Sequence, residues 1–176
     1  MTVVVLLAIL AAVSLLWLGW NLTFDALWQP TDRVTVRRIL LLGEVGPSDH
    51  VVDLGCGDGR IVVSAARDFG ARATGVEVDP CRVLWARAWV LLAGLRRRAR
   101  IVRGNMYTHD VSNASVVVLF LSATANFKLQ ERIRKELSPG ARVVSYYHPI
   151  WGWEPELIGE ARDGYPIYVY RMKDAA

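Results

Sequence analysis

The sequence predicts an α/β fold: one transmembrane helix, then a Rossmann-like, mostly parallel sheet of seven strands that ends in an antiparallel hairpin. Three observations carry it. From His50 onward, short apolar runs alternate with stretches of helical periodicity, as repeated strand–helix units require. A glycine loop, Gly55-Cys-Gly-Asp-Gly59, joins the first apolar run to the first helical stretch. Ahead of them, residues 3–20 carry no charge and one polar side chain, Ser14.

As a helix, residues 3–20 would span about 27 Å, close to the roughly 30 Å hydrocarbon core of a bilayer. Trp17, Trp20 and Trp28 gather at its far end, where indoles favour the membrane interface. No cationic region precedes the run and no small-x-small site follows it, which argues against a cleaved signal peptide. The first cations, Arg33, Arg37 and Arg38, come after it. The positive-inside rule then puts the body of the protein in the cytoplasm, held by a single pass. Residues 1–29 are read as anchor and interfacial segment, and residues 30–176 as one domain, large enough for its own core.

Pro30-Thr31 closes the interfacial segment, and a helix is predicted over residues 32–45 with Val34, Ile39, Leu41 and Leu42 as its apolar positions. Gly46-Pro-Ser-Asp49 is a turn, and strand one covers residues 50–54. A helix over residues 60–69 ends at Gly70, and strand two covers residues 73–78. Pro80 sits in the first turn of a helix that runs to about Leu92, ahead of strand three at residues 99–103. Residues 116–121 are almost unbroken apolar, the pattern of a strand buried on both faces. A helix over residues 126–137, a Pro139-Gly140 turn and strand five at residues 141–147 follow. Segments 157–161 and 167–171 flank Asp163-Gly164, a hairpin signal.

The loop and Glu77, about 20 residues beyond it, read as a site for an adenosine-containing cofactor whose ribose meets the carboxylate. Three details narrow the cofactor. The glycines alternate as Gly-x-Gly-x-Gly and not as the dinucleotide pattern Gly-x-Gly-x-x-Gly. Asp53, two residues before Gly55, suits a cationic amino group and would repel a pyrophosphate. The chain also ends soon after strand five, with no second nucleotide-binding half. A methyl donor with an amino group and a sulfonium fits all three.

With these residues the chain resembles the class I S-adenosylmethionine-dependent methyltransferases. More narrowly it is similar to the small protein-lysine methyltransferases that include an archaeal branch and mitochondrial enzymes acting on inner-membrane proteins. The resemblance runs through Pro30-Thr31, Asp53-Leu-Gly-Cys-Gly-Asp-Gly-Arg60, Gly75-Val-Glu-Val-Asp-Pro80 and Gly104-Asn-Met106. It continues through Val118-Leu-Phe-Leu121, Leu137-Ser-Pro-Gly-Ala-Arg-Val-Val-Ser145 and Trp153-Glu-Pro155. It implies that Asp53, Gly55 and Gly57 line the methionine end of S-adenosylmethionine and that Glu77 holds the ribose. Asn105 and Met106 would flank the adenine, and Thr31 would close the pocket. Cys56 and Gly59 complete the expected cofactor set as members of the loop, and neither Cys56 nor Cys81 is assigned chemistry of its own. Relatives often carry Asp at the place of Asn105 and proline at the place of Ala123.

No strong base appears in Leu119-Phe-Leu-Ser-Ala123, where many amino-methylating enzymes carry Asn/Asp-Pro-Pro-Tyr, so no catalytic residue is named. A substrate lysine would lose its proton to solvent and be positioned by backbone carbonyls. His50, His109 and His148 are scattered and read as structural, and Asp58 and Asp79 as helix caps. Tyr146, Tyr147, Trp151 and Trp153 read equally as an aromatic channel for an alkyl-ammonium group or as a packed lid. Arg96, Arg97, Arg98, Arg100 and Arg103 could hold nucleic acid or anionic lipid, but such a run is more often a solvated helix end. Its place ahead of strand three, at the edge opposite the cofactor, argues against a lipid contact, and no nucleic-acid partner is expected. The two cysteines lack disulfide or metal-ligand spacing, so a reducing compartment and no metal are expected. The expected activity is methyl transfer from S-adenosylmethionine to a lysine of a membrane-associated protein. Methylation of a lipid or lipophilic small molecule, and a non-catalytic cofactor-binding module, are the alternatives.

Overall fold

A computed structural model of the protein describes residues 3–7, 9, 11, 12, 19 and 29–173. Helix α1 (Arg33–Leu42) leads into β1 (His50–Leu54), α2 (Arg60–Asp68), β2 (Arg72–Glu77), α3 (Pro80–Leu92) and β3 (Ala99–Arg103). Then come β4 (Val116–Leu119), α4 (Ala123–Glu136), β5 (Arg142–Tyr146), β6 (Leu157–Glu160) and β7 (Pro166–Arg171). The seven strands form one sheet in the order β3-β2-β1-β4-β5-β7-β6. All neighbours are parallel until β7, which lies antiparallel to both β5 and β6. Strand order reverses between β1 and β4. In such sheets the ligand crevice opens at the carboxyl ends of the strands at that switch point.

Alternation along the strands divides the core. Val51, Val116, Val118 and Val144 pack with Val36 and Ile39 of α1, Ile61 and Val62 of α2, and Val83 and Val90 of α3. Val52, Leu54, Val117, Leu119 and Val143 face Leu129 and Ile133 of α4. Both faces of β4 are therefore covered, which explains why all four of its residues are apolar and buried. Asp32 caps α1 by accepting from Val34 N at 2.9 Å and from the Thr35 hydroxyl at 2.6 Å. Asp79 caps α3 and Ser122 caps α4.

The strands fall within a residue or two of the expected bounds, and the shifts have local causes. Ser122 accepts from Ala125 N at 3.1 Å, so α4 starts at Ala123 and β4 stops at Leu119. Helix α1 is rotated from the expected face: Ile39 and Leu42 pack on the core as expected, but Val34 and Leu41 do not. Thr35, Val36, Ile39 and Leu40 are buried, while Val34 and Leu41 point to solvent. Thr35 tolerates burial because its hydroxyl donates to Asp32 and also accepts from Arg162 N.

At the amino edge Asp49 and Arg142 form a largely buried ion pair. Asp49 also accepts from the Ser115 hydroxyl at 2.6 Å and from Gly46 N at 2.8 Å. Among the described residues no helix is long and apolar enough to cross a membrane. Half of the expected span, residues 3–20, lies outside the described residues, and the single-pass helix gains no support here.

Candidate cofactor site

The loop after β1 bends toward β2 because Gly55 N and Cys56 N both donate to the Val76 carbonyl, at 2.9 and 3.0 Å. Gly55 takes a left-handed backbone (φ 80), and a Cβ there would lie 2.9 Å from Leu121 Cδ2. Only glycine suits that position. One oxygen of the Glu77 carboxylate accepts from Gly57 N at 2.9 Å. The other accepts from Val78 N and Asp79 N, each at 2.9 Å. One buried side chain thus ties the glycine loop to the end of β2 and the start of α3.

Asp53, at the end of β1, is 2% exposed, and its Oδ2 has no hydrogen-bond partner among the described residues. Burial, with the Glu77 and Asp58 carboxylates adding to it, pushes its carboxyl up to about 8. A buried carboxyl between two other acids attracts a cation. Burial also raises the Cys56 thiol well above its usual range, so it is no nucleophile at neutral pH.

Thr31, Asp53, Gly55, Cys56, Gly57 and Glu77 line one cavity at the switch point, and Asn105 and Met106 close its far wall. Asn105 Oδ1 accepts from Tyr107 N at 2.8 Å and so shapes the turn that presents Met106. Arg132 of α4 fixes the same turn by donating to the Met106 carbonyl at 2.9 Å. Gly59 alone of the expected set does not line the cavity. Its absent side chain lets α2 approach α3: a Cβ would sit 3.0 Å from that of Ala86. Sequence order put Gly59 with its neighbours, but its left-handed turn (φ 82) faces it away.

Several cavity residues were not anticipated, among them Gln29, Arg60, Arg82, Tyr107 and Phe120. Arg60 donates to Asp58 and to the Thr31 carbonyl, clasping the segment before α1 over the glycine loop. Asp58 therefore orients Arg60, although it also accepts from Arg60 N as an ordinary helix-start residue would. The adjacency Asp58-Gly-Arg60 was the available signal. Thr31, 29 positions away, was not readable as its partner.

At the cavity wall, Phe120 packs against Tyr146 with ring centres 4.6 Å apart and planes tilted by 43°. The four aromatics expected there divide in two. Tyr146 is buried and its hydroxyl donates to Asp163 at 2.5 Å, while Trp153 is packed on Tyr170 under Arg134. Tyr147 and Trp151 are exposed, with Tyr147 in contact with Tyr165 and Trp151 with Phe127. His50, His109 and His148 do not line the cavity. Among the described residues no cluster of three or more His, Cys, Asp or Glu could hold a metal.

An unpartnered acid for a cation, a glycine cradle, a second acid at the next strand end and an apolar wall suit a cationic adenosine compound. Residues 53–157 match the ANTKMT methyltransferase domain family. A protein-lysine N-methyltransferase from Saccharolobus islandicus (strain REY15A) is 43% identical over 147 residues, which is 81% of this chain and 91% of that one. An adenine nucleotide translocase lysine N-methyltransferase from Mus musculus is 36% identical over 126 residues, 70% of this chain and 53% of its own length. The match thus spans about half of the mouse protein. A solved structure described as an RNA methyltransferase from Salinibacter ruber in complex with S-adenosyl-L-homocysteine is 36% identical. It superposes with a TM-score of 0.81 over 84% of this chain and 96% of that chain.

Proposed function

We propose, on the premise that the chain belongs to the ANTKMT methyltransferase domain family, that this S-adenosylmethionine-dependent methyltransferase modifies lysine side chains of a protein. The observation that carries the reading is the buried, unpartnered Asp53 carboxyl in a cavity that holds two further acids. The name of the 43% identical relative supports lysine as the acceptor.

In this reading Asp53 meets the donor's amino group, and Gly55 and Gly57 let the backbone approach its methionine end. Cys56 contributes packing. Glu77 has both oxygens anchored to backbone N–H groups and still offers lone pairs to ribose hydroxyls. Asn105 and Met106 bracket the adenine, and Thr31, held by Arg60, covers the pocket. When bound, S-adenosylmethionine supplies an already activated sulfonium methyl, so the chain's work is alignment and exclusion of water. A lysine ammonium, with an ordinary pKa of about 10.4, has to arrive neutral. Phe120 and Leu121, past the end of β4, wall the side from which the amine would approach. The proton passes to solvent, and no side chain is assigned as base.

Residues 1–29 form, in the same reading, a membrane anchor and interfacial segment ahead of the domain at residues 30–176, which faces the cytoplasm. The uncharged run at residues 3–20 supports this. Because Thr31 borders the cavity, the anchor would hold the cavity mouth near the bilayer and favour a membrane-associated protein as acceptor.

Methyl-tritiated donor and full-length protein in native membranes test the proposal. Acid-stable label on protein lysines is expected. Label in extracted lipid or in RNA would replace the acceptor class, and cofactor binding without transfer would leave a non-catalytic module.

A further inference from the structure

Helix α3 is apolar on two opposite faces. Val83, Ala86 and Val90 point into the core. On the other side Cys81, Leu84, Trp85, Ala88, Leu91 and Leu92 recur at three- and four-residue spacing, forming one stripe at 100° per residue. The large members of the stripe are open to solvent: Leu84 is 71% exposed, Trp85 66%, Leu91 52% and Leu92 86%. A surface helix ordinarily keeps polar residues there. Its charge is equally one-sided, for residues 80–103 contain seven arginines and no acidic residue. Arg82 and Arg87 flank the stripe, and Arg96, Arg97 and Arg98 follow its far end.

We propose that the outer face of α3 lies in the surface of an anionic lipid bilayer. Leu84, Trp85, Leu91 and Leu92 would enter the acyl boundary, with the exposed Arg96 and Arg97 at lipid phosphates, while Arg87 donates to the Ile101 carbonyl and Arg98 to the Gly70 carbonyl. This is the physical pattern of an interfacial helix. The position agrees, because Arg82 in its first turn lines the same cavity as Gln29 and Thr31. The stripe therefore begins beside the point where the apolar N-terminal segment joins the domain. A second copy fits less well, since face-to-face stripes would bring the two arginine sets together. RNA would find arginines but has no use for three exposed leucines. With α3 lying in the plane, the arginines after it reach lipid too, even though they stand at the opposite edge of the sheet from the cavity. The surface is independent of which acceptor is methylated.

The two free cysteines provide the test, since Cys81 is exposed on the stripe and Cys56 is buried. An environment-sensitive thiol dye on Cys81 of the full chain is compared with the dye on S138C in a C81S background. Vesicles contain one part phosphatidylglycerol to three parts phosphatidylcholine. Their addition should shift the Cys81 dye to the blue and let brominated acyl chains quench it, leaving the dye at position 138 unchanged. L84E/L91E should raise the vesicle concentration at half-saturation by about ten-fold, without altering S-adenosylmethionine binding. Three results would overturn the proposal. The first is a Cys81 dye that stays in water while the protein sediments with vesicles. The second is a dye already blue-shifted before lipid is added; concentration dependence would then mark a second copy, and its absence residues 1–28 of the same chain. The third is a response to single-stranded RNA and not to vesicles.

Discussion

Replacing Asp53 by asparagine should stabilise the free protein while weakening its hold on the cofactor. Asp53 is buried, and its carboxyl titrates at about 8 in the folded chain against 3.8 ordinarily. An acid whose pKa rises on folding binds more protons folded than unfolded, so its contribution to stability falls as pH climbs from about 4 to about 8 and is constant above. At pH 7 the folded carboxyl carries a proton that the unfolded one has lost. Three pH units at about 1.36 kcal/mol each make that difference about 4 kcal/mol. The side-chain amide of D53N needs no proton, so this variant should exceed the wild type by up to about 4 kcal/mol at pH 7 and by under about 1 kcal/mol at pH 4. At 2–4 °C per kcal/mol for a chain of this length, Tm should rise by about 10 °C at pH 7. Urea melts of both proteins from pH 4 to 8 measure this, and other titrating groups cancel in the difference. Cofactor binding should move the opposite way. Calorimetry in buffers of different ionisation enthalpy should find nearly one proton released as the wild type binds S-adenosylmethionine at pH 7, and none from the weaker-binding D53N. A stability difference that does not change between pH 5 and 8 would refute the reasoning.

E77Q keeps the shape of Glu77 but sets an NH2 group against backbone N–H donors. It should raise the S-adenosylmethionine Kd by about a hundred-fold and cost about 1–3 kcal/mol in urea melts. G75A would place a Cβ 2.6 Å from Cys56 Sγ and 2.8 Å from Val62 Cγ2, in the middle of the sheet. It should lose about 1–3 kcal/mol, seen as a lower Tm, and shift the cofactor loop enough to weaken binding. D49N breaks the buried pair with Arg142 far from the cavity. It should destabilise by about 3 kcal/mol yet leave KM for S-adenosylmethionine unchanged at a temperature where the protein is folded.

Much of this molecule is legible because its signals are local. Unbroken valine runs mark β4, Asp-Pro marks the start of α3, and Gly-x-Gly-x-Gly with Asp53 and Glu77 marks the cavity. What sequence reading missed depends on which side the sheet lies. It put Val34 and Leu41 inward on α1, where the structure buries Val36 and Leu40, because both stripes are plausible on an isolated helix. It treated Tyr146, Tyr147, Trp151 and Trp153 as one group, and only tertiary contacts divide them into packing and exposed pairs. The Arg60–Thr31 clasp joins residues whose proximity exists only once α1 has folded against α2.

Strand β7 is the last of the described elements, yet it lies inside the sheet, between β5 and β6, both of which precede it in the chain. A ribosome therefore releases β6 with nothing to pair with, since its ladder is made with β7. Until residues 166–171 emerge, Tyr146 also lacks its ladder partner Ile167, and the flank of the cavity that Tyr146 shares with Phe120 stays unsupported. A nascent chain has its glycine loop early but completes the sheet around it only once β7 has emerged. The order of synthesis thus makes the flank of the cavity beside Tyr146 among the last parts of the sheet to gain its ladder.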